Sequence, residues 1–297
     1  MRTALLLALL ALGGCALFAR KPTQPAMPVR YVLGAPYQAL GVWRYPREQF
    51  AGEETGLATI MPAHGPRATD GEVFDQTALA ASHPTSQLPA LARVTNLETG
   101  REVTVRVNDR GPLPATRAIG LTTRAAELIG ARDGTQTRVR FLEAESRQLA
   151  AELQGDAGKL AVATAPIAAV RSETLAPPPG VGQGRARVAI TSAATPVAAA
   201  PAPASTIPLR LPERVDQTVP TPGSLFVVAG IFGRLEYAEI QRRRLAGLGA
   251  SVATSFQSPR DRAYRVEIGP LASVANADAM LGQVFAAGVS DARIVVQ

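Results

Sequence analysis

Apolar and polar residues alternate most regularly between positions 92 and 107. Val103, Val105 and Val107 fall on one side of an extended run, and Glu102, Thr104 and Arg106 on the other. With Ala92 to Leu97 on the far side of Glu98-Thr99-Gly100-Arg101, this spacing predicts a half-buried β-hairpin. A further alternating run covers Thr137 to Leu142. Before it, a short helix is predicted from a cap at Thr122 or Thr123 through Ala125, Ala126, Leu128 and Ile129 to Gly130. Residues 54–145 therefore read as one mainly β domain.

Residues 223–297 carry an internal repeat. The first copy runs from Leu225 to Phe232 as a strand, then a helix around Tyr237 to Leu248 and a strand from Ser251 to Phe256. The second copy runs from Tyr264 to Leu271, then Asn276 to Ala287, then Ala292 to Val296. Gly230 matches Gly269, and Gly249 matches Gly288. Two such units predict a βαββαβ, ferredoxin-like α/β domain with both helices on one face of a four-stranded sheet.

Between these domains, 146–222 is dominated by Ala, Pro, Thr, Ser and Gly, as in Ala176-Pro177-Pro178-Pro179-Gly180. Apart from a helical start near Glu145 to Leu153, nothing there has the pattern to bury a core, so a disordered linker is expected. Residues 16–53 are a Pro-rich lead-in, either a tether or a segment packed on the first domain. The presence of Tyr31, Tyr37, Trp43, Tyr45 and Phe50 favours packing of part of it. Residues 1–15 begin with one arginine and a short apolar run, a secretory signal too short to span a bilayer. Leu12-Gly13-Gly14-Cys15 resembles the lipobox of bacterial lipoproteins, which makes Cys15 the expected lipidation site and a membrane anchor. Nothing acidic follows the cysteine, which favours an outer-membrane over an inner-membrane destination, facing the periplasm.

Composition narrows the chemistry. Apolar residues make up 46% of the chain but aromatics only 5%, so alanine inflates the apparent core. A single cysteine excludes any internal disulfide or cysteine-based metal cluster. The formal charge of +7 favours acidic partners, but no basic helix, zinc spacing or aromatic RNA-binding motif points to nucleic acid. No metal ligand set or nucleotide loop is visible, so no cofactor is expected.

Two blocks remain as candidate chemistry. One is Ala68-Thr69-Asp70-Gly71-Glu72-Val73-Phe74-Asp75 with Ala81-Ser82-His83-Pro84 after it; the other is Arg106-Val107-Asn108-Asp109-Arg110-Gly111-Pro112. Taken alone, an Asp or Glu beside a glycine turn is ordinary structural chemistry. At these residues, however, the chain resembles the rare lipoprotein A (RlpA) family of septal lytic transglycosylases, and residues 223–297 resemble the SPOR domain. The resemblance implies a double-psi β-barrel over 54–145 and a SPOR domain that binds glycan stripped of stem peptides. It also implies that Asp109 and Glu72 are the catalytic acidic pair, Asp109 as acid and base and Glu72 positioning or sharing the proton, with the reverse assignment open. His83, Arg110 and Asn108, together with Phe226 and Tyr264 of the SPOR-like sheet, are the substrate-binding candidates. The implied partners are peptidoglycan glycan strands and divisome proteins at the septum.

The chain departs from the family at Ala58-Thr59-Ile60-Met61-Pro62, where an aromatic block is usual, and at Gly120, where an aspartate is usual. Two readings follow: an endolytic transglycosylase, or an inactive glycan-binding relative.

Overall fold

The computed structural model describes residues 28–39, 41–111, 113–154, 208–258 and 261–297. Cys15 with the signal segment, and the linker stretch 155–207, lie outside the described residues.

The lead-in forms a small hairpin, β1 (Tyr37–Ala39) paired with β2 (Val42–Arg44). Six strands then close a barrel: β3 (Glu53–Ile60), β4 (Ala80–Ser82), β5 (Ala90–Asn96), β6 (Arg101–Asp109), β7 (Ile119–Leu121) and β8 (Gln136–Phe141). Their order is β4-β7-β3-β8-β5-β6, and a β4–β6 pairing completes the ring. The β3–β7 and β4–β6 pairs are parallel, and the other pairs are antiparallel.

The alternating run of β6 does what its pattern requires. Val103, Val105 and Val107 face inward opposite Val94, Ala92 and Ala90 of β5, all at or near zero exposure. Each such valine contributes about 1.5–3 kcal/mol through burial. The helix α1 (Thr123–Ile129) plugs one side with Ala125, Ala126 and Ile129 and stops at Gly130 in the left-handed region, φ 66°.

Gly120 on β7 has a steric reason. A Cβ there would lie 2.5 Å from Leu113 Cδ2 and from Ser82 Oγ, and 2.8 Å from Met61 Cγ. A side chain at this position would require Leu113, Ser82 or Met61 to move aside.

The linker expected over 146–222 is narrower at both ends. Helix α2 (Glu143–Gln154) packs Ser146, Leu149 and Ala150 on the barrel, and the Ser146 hydroxyl accepts the Leu91 amide at 3.0 Å. At the far end, β9 (Val215–Gln217) adds to the open edge of β6, with Val103 opposite Val215. A three-residue strand between prolines carries almost no periodic signal, and its pairing is made by backbone groups. Arg210 and Glu213 add exposed ion pairs to Asp75 and Arg124.

The C-terminal domain is the expected repeat: β10 (Leu225–Phe232), α3 (Leu235–Arg244), β11 (Ser251–Ser258), β12 (Asp261–Leu271), α4 (Val274–Ala286) and β13 (Arg293–Val296). Its sheet order is β11-β12-β10-β13, antiparallel throughout. The repeat is exact enough for Gly230 and Gly269 to share φ values of 149° and 150°, and Gly249 and Gly288 values of 76° and 82°. The Ser273 side chain caps α4 by accepting the Asn276 amide.

The two domains are docked. Thr55 Oγ1 donates to the Val296 carbonyl at 2.7 Å and accepts the Val296 amide at 3.1 Å. Leu57 and Leu97 of the barrel belong to the same apolar cluster as Leu225, Ile294 and Val296. Arg117 bridges Asp133 of the barrel and Asp278 of α4, each at 2.8 Å. A C-terminal domain held only by a long tether is therefore not what the chain builds. Among the described residues, no helix is long and apolar enough to cross a membrane.

Candidate active site

Both acidic residues singled out in the sequence meet at the end of β6, but each has its own partners. Alternation along β6 sends Arg106 and Asn108 to one side and Asp109 to the other.

On the first side, Glu72 Oε1 accepts from Arg106 Nε at 2.5 Å and Oε2 from Asn108 Nδ2 at 2.7 Å. Arg106 is only 2% exposed and Glu72 7%, so this is a buried ion pair finished by an amide. Glu72, Arg106 and Asn108 line a cavity of about 350 Å³. Phe74 and Val73 supply apolar wall, and Leu209 and Arg210 from the segment after the linker complete it.

Beside the pair lies Asp70, fully buried, whose Oδ1 accepts the Glu72 amide at 2.9 Å. Burial, and then the neighbouring Glu72 charge, push its carboxyl up to about 8. Asp70 is thus a proton-bearing carboxyl at neutral pH. The sequence reading passed over it as part of a turn.

On the other side, Asp109 is 1% exposed and is not among the cavity-lining residues. Its Oδ1 accepts three donors: the Thr69 hydroxyl at 2.6 Å, the Thr69 amide at 3.1 Å and the Arg110 amide at 2.8 Å. Its Oδ2 lies 2.7 Å from Nε2 of His64. The other ring nitrogen of His64 is 3.0 Å from the Pro62 carbonyl, and the ring packs edge-on against Phe74 at 4.5 Å between centroids. Sequence reading did not select His64. The available signal was scarcity, since the chain has only two histidines.

The other candidates fall differently. The ring of His83 is 2% exposed and turned away from the Asp109 carboxyl. Its Nδ1 accepts the Ser86 amide at 2.9 Å, which leaves Nε2 to donate to Glu54 Oε1 at 2.6 Å. Burial raises the Glu54 carboxyl, but His83, Arg293 and Arg47 outweigh it and hold the group below its ordinary value. Only the His83 backbone touches Asp109, its amide donating to the Asp109 carbonyl at 2.9 Å. Arg110 spends its guanidinium on the carbonyls of His83, Ser86 and Leu33, pinning the lead-in to the barrel. Asn108 does face the cavity, through Glu72.

Phe226 and Tyr264 do not share a face. Tyr264 stands with Val266 and Ile268 over the helices, whereas Phe226 pairs with Val295 on the opposite side of the sheet. The period of two along β10 and β12 requires this. The open face is instead furnished by Phe226, Val228 and an Arg265–Glu267 ion pair at 2.7 Å.

Among the described residues, no cluster of His, Cys, Asp and Glu is arranged to hold a metal ion.

The six-stranded barrel with an acidic site at one strand end, joined to a βαββαβ domain, defines a double-psi β-barrel lytic transglycosylase with a SPOR domain. Residues 53–141 match the lytic transglycolase domain family and residues 221–294 the SPOR domain family. The endolytic peptidoglycan transglycosylase RlpA of Pseudomonas aeruginosa strain UCBPP-PA14 is 30% identical over 257 residues, covering 80% of this chain and 69% of that protein. RlpA of Escherichia coli K12 is 44% identical over 88 residues, 29% of this chain and 24% of that protein. RlpA of Campylobacter jejuni is 41% identical over 97 residues, 32% of this chain and 35% of that protein. The chain belongs to the RlpA family.

Proposed function

We propose that this protein is an endolytic lytic transglycosylase that cleaves the MurNAc–GlcNAc β-1,4 bond of peptide-free glycan and leaves 1,6-anhydro-MurNAc ends. The observation that carries this is the Asp109 carboxyl. It is fixed at one oxygen by three donors, which leaves only Oδ2, beside His64 Nε2 at 2.7 Å, to give and take a proton. As the acid, Asp109 protonates the leaving glycosidic oxygen. The muramic C6 hydroxyl attacks the anomeric carbon as the C1–O4 bond breaks, and its proton passes to Asp109, so no water is consumed. Glu72 accepts from two donors and is poorly placed to give a proton; it orients Arg106 and Asn108 in the cavity wall. The acylated Cys15 holds the chain at the outer membrane, and the SPOR domain concentrates it on denuded septal glycan with divisome partners.

Incubating the full chain with denuded glycan and reading the products by mass spectrometry tests this. Anhydro ends from the wild type and none from Asp109→Asn are expected; no such ends from folded wild-type protein reject it. The rival reading, a glycan-binding protein without cleavage, draws on the non-aromatic stretch 58–62, where the family carries a sugar platform.

A further inference from the structure

The ring of His64 covers the single oxygen of Asp109 that is not already committed. Its side chain is 21% exposed and that of Asp109 2%, so His64 lies between the carboxyl and solvent. The Pro62 carbonyl can only accept, which puts a proton on Nδ1. Nε2 lies 2.7 Å from Oδ2, an ion-pair distance although the N–H is not aligned on Oδ2, which makes no hydrogen bond. An unprotonated Nε2 would set its lone pair against the carboxylate at that distance, so one of the two groups carries a proton. The pair therefore holds one exchangeable proton, as imidazolium and carboxylate or as imidazole and carboxylic acid. Oδ2 itself is buried and has no hydrogen-bond partner. A glycosidic oxygen can reach Oδ2 only if the ring moves. The ring is carried on the loop that follows β3, which Gln76 anchors through the Met61 carbonyl at 2.7 Å.

We propose that His64 is a positioning residue for Asp109: it stores the acid's proton in the resting enzyme and is displaced by the incoming glycan. This rests on Asp109 acting as acid and base. Separating an imidazolium from a carboxylate in a buried site is strongly unfavourable. Displacement therefore leaves the proton on Asp109 and the imidazole neutral. Asp109 then gives that proton to the glycosidic oxygen and regains one from the C6 hydroxyl, and the ring returns to a protonated partner. Proton count is conserved over the cycle. Arg110 and Tyr37 also lie within electrostatic reach of Asp109. Burial raises the Tyr37 phenol above its ordinary value, and His64 is the group in contact with the uncommitted Asp109 oxygen.

Two measurements on the full chain decide this. The first follows the His64 ring by NMR over a pH series in wild type and in Asp109→Asn, which keeps the Thr69 bonds. The midpoint is expected to fall by about one unit or more when the carboxylate is lost. An unchanged midpoint overturns the pairing, whether or not the protein cleaves glycan. The second compares wild type with His64→Gln, which can donate to Oδ2 but holds no extra proton. The expected result is a kcat lower by roughly tenfold or more with KM retained, and one ionisation missing from the pH profile of kcat. Wild-type kcat and profile in His64→Gln, alongside an inactive Asp109→Asn, overturn the inference while leaving the transglycosylase reading intact. An inactive wild type refutes that reading instead, and the NMR midpoint still judges the pair.

Discussion

Thr69 is joined twice to one oxygen of Asp109, by its hydroxyl at 2.6 Å and its amide at 3.1 Å. The same hydroxyl also accepts the Arg110 amide at 3.2 Å. Thr69→Val removes the hydroxyl and leaves the shape. It is expected to cost about 1–2 kcal/mol of stability in urea denaturation, because the lost bond is charge-assisted. Loss of carboxyl orientation should lower kcat by roughly ten- to hundredfold in the glycan digestion assay.

The Glu72–Arg106 pair gives a different signature. Glu72→Gln leaves a nearly inaccessible guanidinium without its anion, so stability should fall by about 3–5 kcal/mol. The double variant Glu72→Gln with Arg106→Met removes both charges and should recover most of that loss. Thermal denaturation of the two variants side by side checks this. A double variant no better than the single one would contradict the ion-pair reading.

Asp70 sets a pH dependence. Its folded value is raised to about 8 from 3.8, so between those limits the folded state holds a proton the unfolded state has released. The stability it contributes is fully present below about pH 4, declines as pH rises through about 8, and levels off above. Asp70→Asn keeps an oxygen for the Glu72 amide and cannot ionise. It should therefore be more stable than wild type by about 1–3 kcal/mol at pH 8. Its stability should also vary less between pH 5 and 8, as read by melting temperature across a buffer series.

Docking of the C-terminal domain relies on Thr55 and Arg117. Thr55→Val removes both bonds to Val296, and Arg117→Ala removes both carboxylate contacts. The combined variant should unfold in two calorimetric transitions, where the wild type shows one, since the domains no longer share their stability. A single transition in the variant would show that the Leu57 and Leu97 contacts suffice.

The barrel and the repeat were legible because their signals are periodic: the valines of β6, and the paired glycines of the C-terminal domain. The site was legible only in part. Asn108 and Asp109 stand at the end of β6, and Glu72 reaches Asn108 and Arg106 from the loop between β3 and β4. The role of His64 was invisible because its partner is forty-five positions away by subtraction (109 − 64), and loop residues carry no period. His83 and Arg110 misled for a related reason: both are polar residues of a motif, yet one serves Glu54 and the other three backbone carbonyls. Whether a side chain faces substrate or scaffold depends on the tertiary neighbours, as with Phe226 and Tyr264 on opposite faces of one sheet.

The chain leaves the barrel at Gln154 and comes back to it at Leu209 and β9, before the C-terminal domain begins. The residues that flank 155–207 therefore both sit on one body. Doubling the length of 155–207 would add only about 0.6 kcal/mol of closure entropy and would not move the SPOR domain any farther from the active site. The separation between the SPOR domain and the active site is fixed instead where Thr55 meets Val296 and Arg117 meets Asp278, so a change of length in 155–207 leaves it unaltered.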